Sequence, residues 1–332
     1  MVLTSAVNSL AAFIKRPFDP ERGETIIEPP GRSKGYWAGA PSVIHDNIDN
    51  AVYLYYRLRQ PHGAADSERG FEVRIARSED GIRFHDIWRL HKRELGSSSI
   101  ERSSLVKVKE GHYRLYVSYV DPVDNRWRID VMEAADPASF NPRFRKKVLT
   151  ALDRPGVEGV KDPYVMRVGD QYFMYFVYAE PTGEHDTSLL HGSGDVHNTG
   201  YALASTGIAV STDGLNFRWV GNAIPVGVSG WDQYQARLTT IIPAGDFFFA
   251  LWDGSRNVEQ NYEEKSAVAL TYDLQTFAKV TPERPVLETA AGRSVRYVDA
   301  LVRDRAIWYY YEYTRDDGAH ELRVVTGPRL DG

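Results

Sequence analysis

The chain has 332 residues, 42% hydrophobic and 26% charged, and 40 Lys+Arg against 45 Asp+Glu give a net charge of −5. That balance excludes a basic nucleic-acid-binding surface and a disordered polyelectrolyte, and no apolar run approaches the roughly 18–20 residues that span a bilayer. With no cysteine there are no disulfides, thiolate nucleophiles or zinc–sulfur sites, while 12% aromatic residues, including 20 Tyr and 7 Trp, point to pleated sheet.

In chain order, the first predicted element is a short amphipathic helix. Leu3, Val7, Leu10 and Ile14 recur at helical spacing, and Lys15-Arg16 follows the apolar stretch instead of preceding it, the reverse of a secretory signal. A helical extension over residues 1–17 and a cytoplasmic location are expected, although a trimmed leader would leave the same N-terminus.

From residue 18 onward the chain repeats itself. A strand, an Asp-led tight turn and a Phe that packs back under the turn run from Val73 to Phe84, Ile129 to Phe140, Ile208 to Phe217 and Val268 to Phe277. A shortened fifth copy runs from Leu322 to Pro328. Before each copy lies a strand pair whose second member is aromatic. The first members begin at Ala40, Arg102, Asp162, Arg237 and Asp299, and the second at Tyr53, Tyr113, Tyr172, Phe247 and Ile307. Five units of about four strands predict an all-β chain, a single five-bladed β-propeller over residues 18–332. A polar, His- and Gly-rich insertion from Thr182 to Tyr201 lengthens the third unit. The last unit lacks its outer strand, and Phe18 to Glu28 resembles the outer-strand segment Thr281 to Glu288, so the N-terminal segment is expected to close the ring. Two packed β-sandwiches are the rival architecture. They explain neither the fivefold count nor the complementary ends.

In a propeller, the starts of the first strands and the ends of the second converge on one channel mouth. The first-strand starts place Trp37, Glu101, Arg102, Lys161, Asp162, Gln235, Arg237, Tyr297 and Asp299 there, and the second-strand ends add Arg57, Trp252 and Glu312. Trp231 precedes the fourth inner strand. Carboxylates, guanidinium groups and aromatics on converging loops are what a carbohydrate site needs: acid/base groups, hydroxyl partners and stacking platforms. Trp37, Trp231 and Trp252 are the candidate platforms.

Gly159-Val-Lys-Asp-Pro-Tyr-Val-Met-Arg-Val-Gly-Asp-Gln-Tyr-Phe-Met-Tyr175 resembles the Asp-Pro blade motif of the five-bladed glycosidases, namely the arabinanase/xylosidase-like family 43, the invertase-like family 32 and the mannoside-phosphorylase-like family 130. Ala-Val-Ser-Thr-Asp-Gly-Leu-Asn-Phe at 209–217 is similar to their recurring Ser-x-Asp-Gly signature. The resemblance implies that Asp162 is the carboxylate that tunes proton affinity and orients substrate. It also exposes a departure, because Ala40 stands where the first-blade base is expected and Gln235-Ala236-Arg237 offers no acid in register. Glu101 is then the expected proton donor and Asp299 the candidate base or orienter, with Trp37, Arg102, Lys161, Trp231, Gln235, Arg237, Trp252 and Tyr297 binding substrate.

The expected function is an inverting exo-glycosidase acting on an oligosaccharide or glycoside, an acidic one if the cations Arg57, Arg102, Lys161 and Arg237 face it. A phosphate-dependent phosphorylase and a non-catalytic sugar-binding propeller are the alternatives. No metal, cofactor, nucleic acid or membrane is expected. Calcium in the channel is specified by no residue, and His185, His191 and His197 in the insertion read as a lid before they read as a metal site. The sequence leaves oligomeric state open.

Overall fold

The computed structural model describes residues 2–303 and 305–330, with the side chains of residues 2–8 and 65 outside the described set. Helix α1 (Val2–Lys15) ends just ahead of Pro17, as the backbone before a proline favours. It lays Leu10, Phe13 and Ile14 on a cluster containing Ile242, Phe249 and Ile307. Leu3 and Val7, expected on the same face, fall outside the described side chains.

The remainder is all-β, as the sequence predicts, and its strands pair antiparallel in groups. After β1 (Glu24–Ile27) come β2 (Trp37–Asp46), β3 (Ala51–Gln60), β4 (Arg69–Ser78) and β5 (His85–His91), paired in that order. The second group is β6 (Ser104–Lys109), β7 (His112–Val120), β8 (Trp127–Ala134) and β9 (Lys146–Leu149). The third is β10 (Gly159–Val168), β11 (Gln171–Pro181), β12 (Ala202–Ser211) and β13 (Arg218–Ile224), with helix α2 (Thr187–His191) inside the insertion. The fourth is β14 (Gln235–Ala244), β15 (Phe247–Ser255), β16 (Lys265–Thr271) and the two-residue β17 (Ala278–Lys279). The last group is β18 (Val295–Arg303), β19 (Ala306–Thr314) and β20 (His320–Pro328), whose outer edge is covered by β1 from the other end of the chain.

Local chemistry explains the repeat. Asp80 Oδ1 accepts the backbone N–H groups of Ile82 (2.9 Å) and Arg83 (2.8 Å). Asp213 Oδ1 does the same for Leu215 and Asn216, and Asp273 Oδ1 for Gln275 and Thr276. Each carboxylate thereby satisfies a turn's free donors. The aromatic second strands reach these turns from the neighbouring group. Tyr116 donates to Gly214 O, Tyr175 to Leu274 O, and Tyr310, in the last group, to Gly81 O in the first.

The first strands are tied by a second set of bonds. Leu105 N–H donates to Ser42 Oγ (3.0 Å), Val165 N–H to Ser104 Oγ (3.0 Å) and Ile241 N–H to the Tyr164 hydroxyl (3.2 Å). Ala300 N–H donates to Thr240 Oγ1 (3.1 Å), and Val43 N–H to Asp299 Oδ2 (2.8 Å). These side-chain acceptors occupy equivalent positions, and the fifth bond returns to the strand that began the series.

Candidate active site

The register of β2, β10 and β18 slips at equivalent points, and each slip carries a residue in the left-handed region: Ala40 (φ 55°), Asp162 (φ 55°) and Tyr297 (φ 51°). Such a backbone costs a non-glycine residue on the order of 1 kcal/mol, and aspartate tolerates it better than alanine or tyrosine. The bulge at Asp162 leaves its carboxyl fully buried. Oδ2 accepts from Arg237 Nη1 (3.3 Å) and the Tyr297 hydroxyl (3.1 Å), whereas Oδ1 is buried with no partner among the described residues. Burial pushes Asp162 towards the neutral acid, but Lys161 and Arg237 outweigh it and hold the carboxyl below the usual range.

Around Asp162 lies a buried network of alternating charges. Arg57 bridges Glu101 and Glu312, and Arg59 reaches Glu101 at 3.4 Å. Arg237 contacts Asp253 at 2.9 Å and Glu264 at 3.3 Å, and Arg296 joins Glu264 to Glu312. His320 Nδ1 closes on Glu312 Oε1 at 2.6 Å. Burial raises Glu264 and Glu312 as well, and the facing arginines more than reverse it. In Asp253 burial wins over Arg237, and its carboxyl lies above the usual range. Gln235, fully buried, donates to Glu264 Oε1 at 2.8 Å. Arg102 extends between groups, donating to Pro41 O (3.3 Å) and Thr239 O (2.6 Å). Lys161 stands over the Trp127 indole at 5.3 Å and, among the described residues, has no carboxylate within ion-pair range. Burial lowers its affinity for a proton.

The insertion of the third group covers this network. Arg69 Nη1 and Nη2 donate to Ser193 O and Gly194 O, both at 3.0 Å, and Nη2 lies 3.4 Å from Asp195 Oδ2. Trp127 Nε1 donates to Asp195 Oδ1 (3.2 Å), and His197 is wholly buried with neither ring nitrogen partnered among the described residues. Burial and Lys161 push His197 down to about 3, so its ring is neutral. His191 pairs with Glu158 at 2.8 Å, and the His185 ring lies tilted against Tyr201 at 4.7 Å. Among the described residues no cluster of His, Asp or Glu could hold a metal ion. Beneath the insertion, the central cavity lined by Glu101, Lys161, Arg237 and Tyr297 has a volume of only about 10 Å³. That is room for one water at most.

Glu101, Arg102, Lys161, Asp162, Gln235, Arg237, Tyr297 and Asp299 therefore do gather at the centre. Several do not stand as expected there. Trp37 is enclosed, with His320 stacked at 4.7 Å and the Arg59 and Arg296 guanidinium groups at 4.5 and 4.8 Å, and Trp252 is fully buried beneath Trp231 and Lys279. Neither has a face open to a sugar. Asp299 has both oxygens committed to backbone N–H groups, Val43 to Oδ2 and Ala300 to Oδ1, and it belongs to the bonds that tie the first strands. Most of the basic cluster is committed within the network: Arg57 and Arg237 are ion-paired and Arg102 is held by carbonyls, while Lys161 has no ion-pair partner among the described residues. Sequence reasoning missed Arg69, Asp195, Glu264, Arg296 and His320, whereas Arg59 was expected beside Arg57 at a second-strand end and His197 was expected in the insertion as part of a lid. Arg69 and Glu264 sit at the starts of third strands, a position the first- and second-strand pattern does not sample.

A scan of protein families finds no match to the chain, and no curated protein is similar to it in sequence. Solved structures are similar to it in shape, and they give its fold as a β-propeller. BT0996, in an RGII complex, superposes with a TM-score of 0.70 at 12% identity, over 98% of this protein and 96% of its own length. The β-1,2-mannobiose phosphorylase from Listeria innocua, bound to β-1,2-mannobiose, gives 0.61 at 14% identity over 92% and 94%. The β-xylosidase RS223 gives 0.59 at 14% over 92% and 95%. Among the described residues no helix is long and apolar enough to cross a membrane.

Proposed function

We propose that the chain is a carbohydrate-active enzyme that cleaves a glycosidic bond at the centre of a five-bladed β-propeller formed by residues 18–332, with residues 1–17 as a helical extension. The cyclic bonds among the first strands and the pairing of β1 with β20 support the blade count and the closure. The observation that carries the activity is Asp162: one carboxylate oxygen is clamped by Arg237 and Tyr297, and the other is buried and unpartnered. Buried polar atoms are nearly always satisfied, so an orphan carboxylate oxygen at a channel centre marks a place reserved for a ligand hydroxyl or water. Asp162 stays ionised and holds or orients the reacting group, and Glu101, on the neighbouring blade and lining the central cavity beside Lys161, Arg237 and Tyr297, is the partner carboxyl. An inverting displacement requires the two to flank the bond about 6.5–9.5 Å apart. Substrate reaches them when the insertion lifts.

Aryl glycosides of neutral and acidic sugars, assayed with wild type and Asp162→Asn, test this reading. Turnover of at least one sugar by wild type, falling about 10²–10⁴-fold in the variant, is expected. Unchanged turnover in the variant overturns the role of Asp162. Lys161, uncommitted to any carboxylate, favours phosphorolysis as a second reading, and cleavage that stops when inorganic phosphate is withdrawn would establish it. Binding without turnover would make the chain a sugar-binding propeller, the outcome Ala40 favours.

A further inference from the structure

With the insertion seated the central network leaves no room for a sugar, yet the loop face above it does. Between the β13–β14, β15–β16 and β17–β18 connections lies a cavity of about 410 Å³, within the roughly 300–1,000 Å³ typical of small-molecule sites. Trp231 forms one wall. Its indole stacks on buried Trp252 at 4.8 Å and its Nε1 donates to Pro282 O at 3.0 Å, so the ring is fixed before any ligand arrives. Gly254 is needed there, since a Cβ would stand 2.5 Å from the Trp231 ring.

The other walls are basic. Arg256, Lys265 and Arg293 line the cavity, against Glu263 as the acidic lining residue. Lys265 is paired with Glu288 at 2.6 Å, and Arg293 reaches the Arg315 carbonyl and exposed Asp316 at 3.7 Å. Arg256 has no ion-pair partner among the described residues and donates from Nε to Gly230 O at 3.3 Å. Its Nη groups are therefore open to an anion. Arg256 also borders a second cavity of about 640 Å³ beside Val226, Tyr234 and Asn257, so the two cavities meet at its side chain.

We infer that this face holds an anionic sugar: the cavity at Trp231 takes a carboxylate-bearing pyranose, the indole carries its apolar face, and Arg256 with Arg293 grips the carboxylate, while the adjoining cavity takes the next sugar of the oligosaccharide. A planar guanidinium fork matches a carboxylate in two parallel hydrogen bonds, and an aromatic plane matches the C–H face of a ring. The inference rests on the carbohydrate reading above and deepens it, placing recognition of acidic sugar on the rim while the hub cleaves.

Calorimetric titration with trigalacturonate and with a neutral trisaccharide, at low and at high salt, tests it. Trigalacturonate is expected to bind at least about tenfold tighter than the neutral sugar, to lose that advantage in Arg256→Gln, and to weaken with salt. Trp231→Ala is expected to weaken both sugars, and circular dichroism will show whether its packing on Trp252 survives. Equal binding of the two trisaccharides, no binding of trigalacturonate, or unaltered binding in Arg256→Gln overturns the inference. Asp162→Asn separates the two readings. Trigalacturonate binding retained with turnover unaffected sinks the central assignment alone, and turnover lost with no preference for the charged sugar sinks the rim site alone.

Discussion

At the scale of the residue, Asp299 shows how a carboxylate can be central and still be structural. Both its oxygens accept backbone N–H groups, and burial pushes it up to about 6, with Arg102 at 4.0 Å opposing only in part. In the unfolded chain the same group titrates near 3.8. Between these values the folded state holds a proton that the unfolded state has released, so stability from this group is complete below the lower value and is lost as pH rises through about 6. The loss for so buried a group is about 2–3 kcal/mol. Chemical denaturation of wild type and Asp299→Asn at pH 4 and pH 7 measures it. The wild type should lose ground to the variant by that amount on going to pH 7, and a difference independent of pH would refute the assignment. Sequence reasoning set Asp299 in register with Asp162, whereas the equivalent bulge falls at Tyr297, two residues earlier. The role of Asp299 escaped because the Val43 N–H that it accepts comes from a strand 256 residues away in the chain.

At the scale of the element, the strands and turns were legible because their causes are local. Alternation, aromatic second strands and Asp turns lie within a dozen residues of one another. The insertion was visible too, but its docking was not: its latch, Arg69, lies 124 residues before Ser193. The structure shows it seated, with Asp195 and His197 buried, which is more than a loose flap. Arg69→Ala should release it. Amide exchange across residues 187–199 should quicken about tenfold or more as those bonds are lost, with the strands unchanged. Exchange equal to wild type would mean that other contacts hold the insertion. The two enclosed tryptophans teach the same lesson: Trp37 and Trp252 sit near the mouth in sequence order, and only packing reveals that their faces are occupied.

At the scale of the molecule, β1 covers the edge of β20 from the opposite end of the chain, with Glu24 opposite Val324 and Thr25 opposite Arg323. Ile26 and Ile27 join the cluster of Leu322 and Val324, and Phe18 stacks on Tyr309 at 4.6 Å. Removing residues 2–28 strips these contacts and bares a strand edge. The melting temperature should fall by about 5–10 °C, and the truncated protein should form larger species on size exclusion. A truncated protein as stable and as monodisperse as the full chain would show that β1 is dispensable. The fivefold repeat made this arrangement readable, because the last unit lacks a strand that the first segment resembles. The chemistry at the centre was less readable, since part of its charge, such as Arg69, Glu264 and Asp195, comes from third-strand starts and the insertion, outside the first- and second-strand pattern.

The bonds that run from Ser42 through Ser104, Tyr164 and Thr240 to Asp299 and back to Val43 have an engineering consequence. Each inner strand holds the next in place, so none can shift without disturbing the others, and the hub has little freedom to reshape itself around a different guest. Novelty must therefore be written at the rim. Exchanging the connections that carry Trp231, Arg256 and Arg293, or the segment that Arg69 fastens, would redirect the molecule to new guests while the bearing on which they sit stays unaltered.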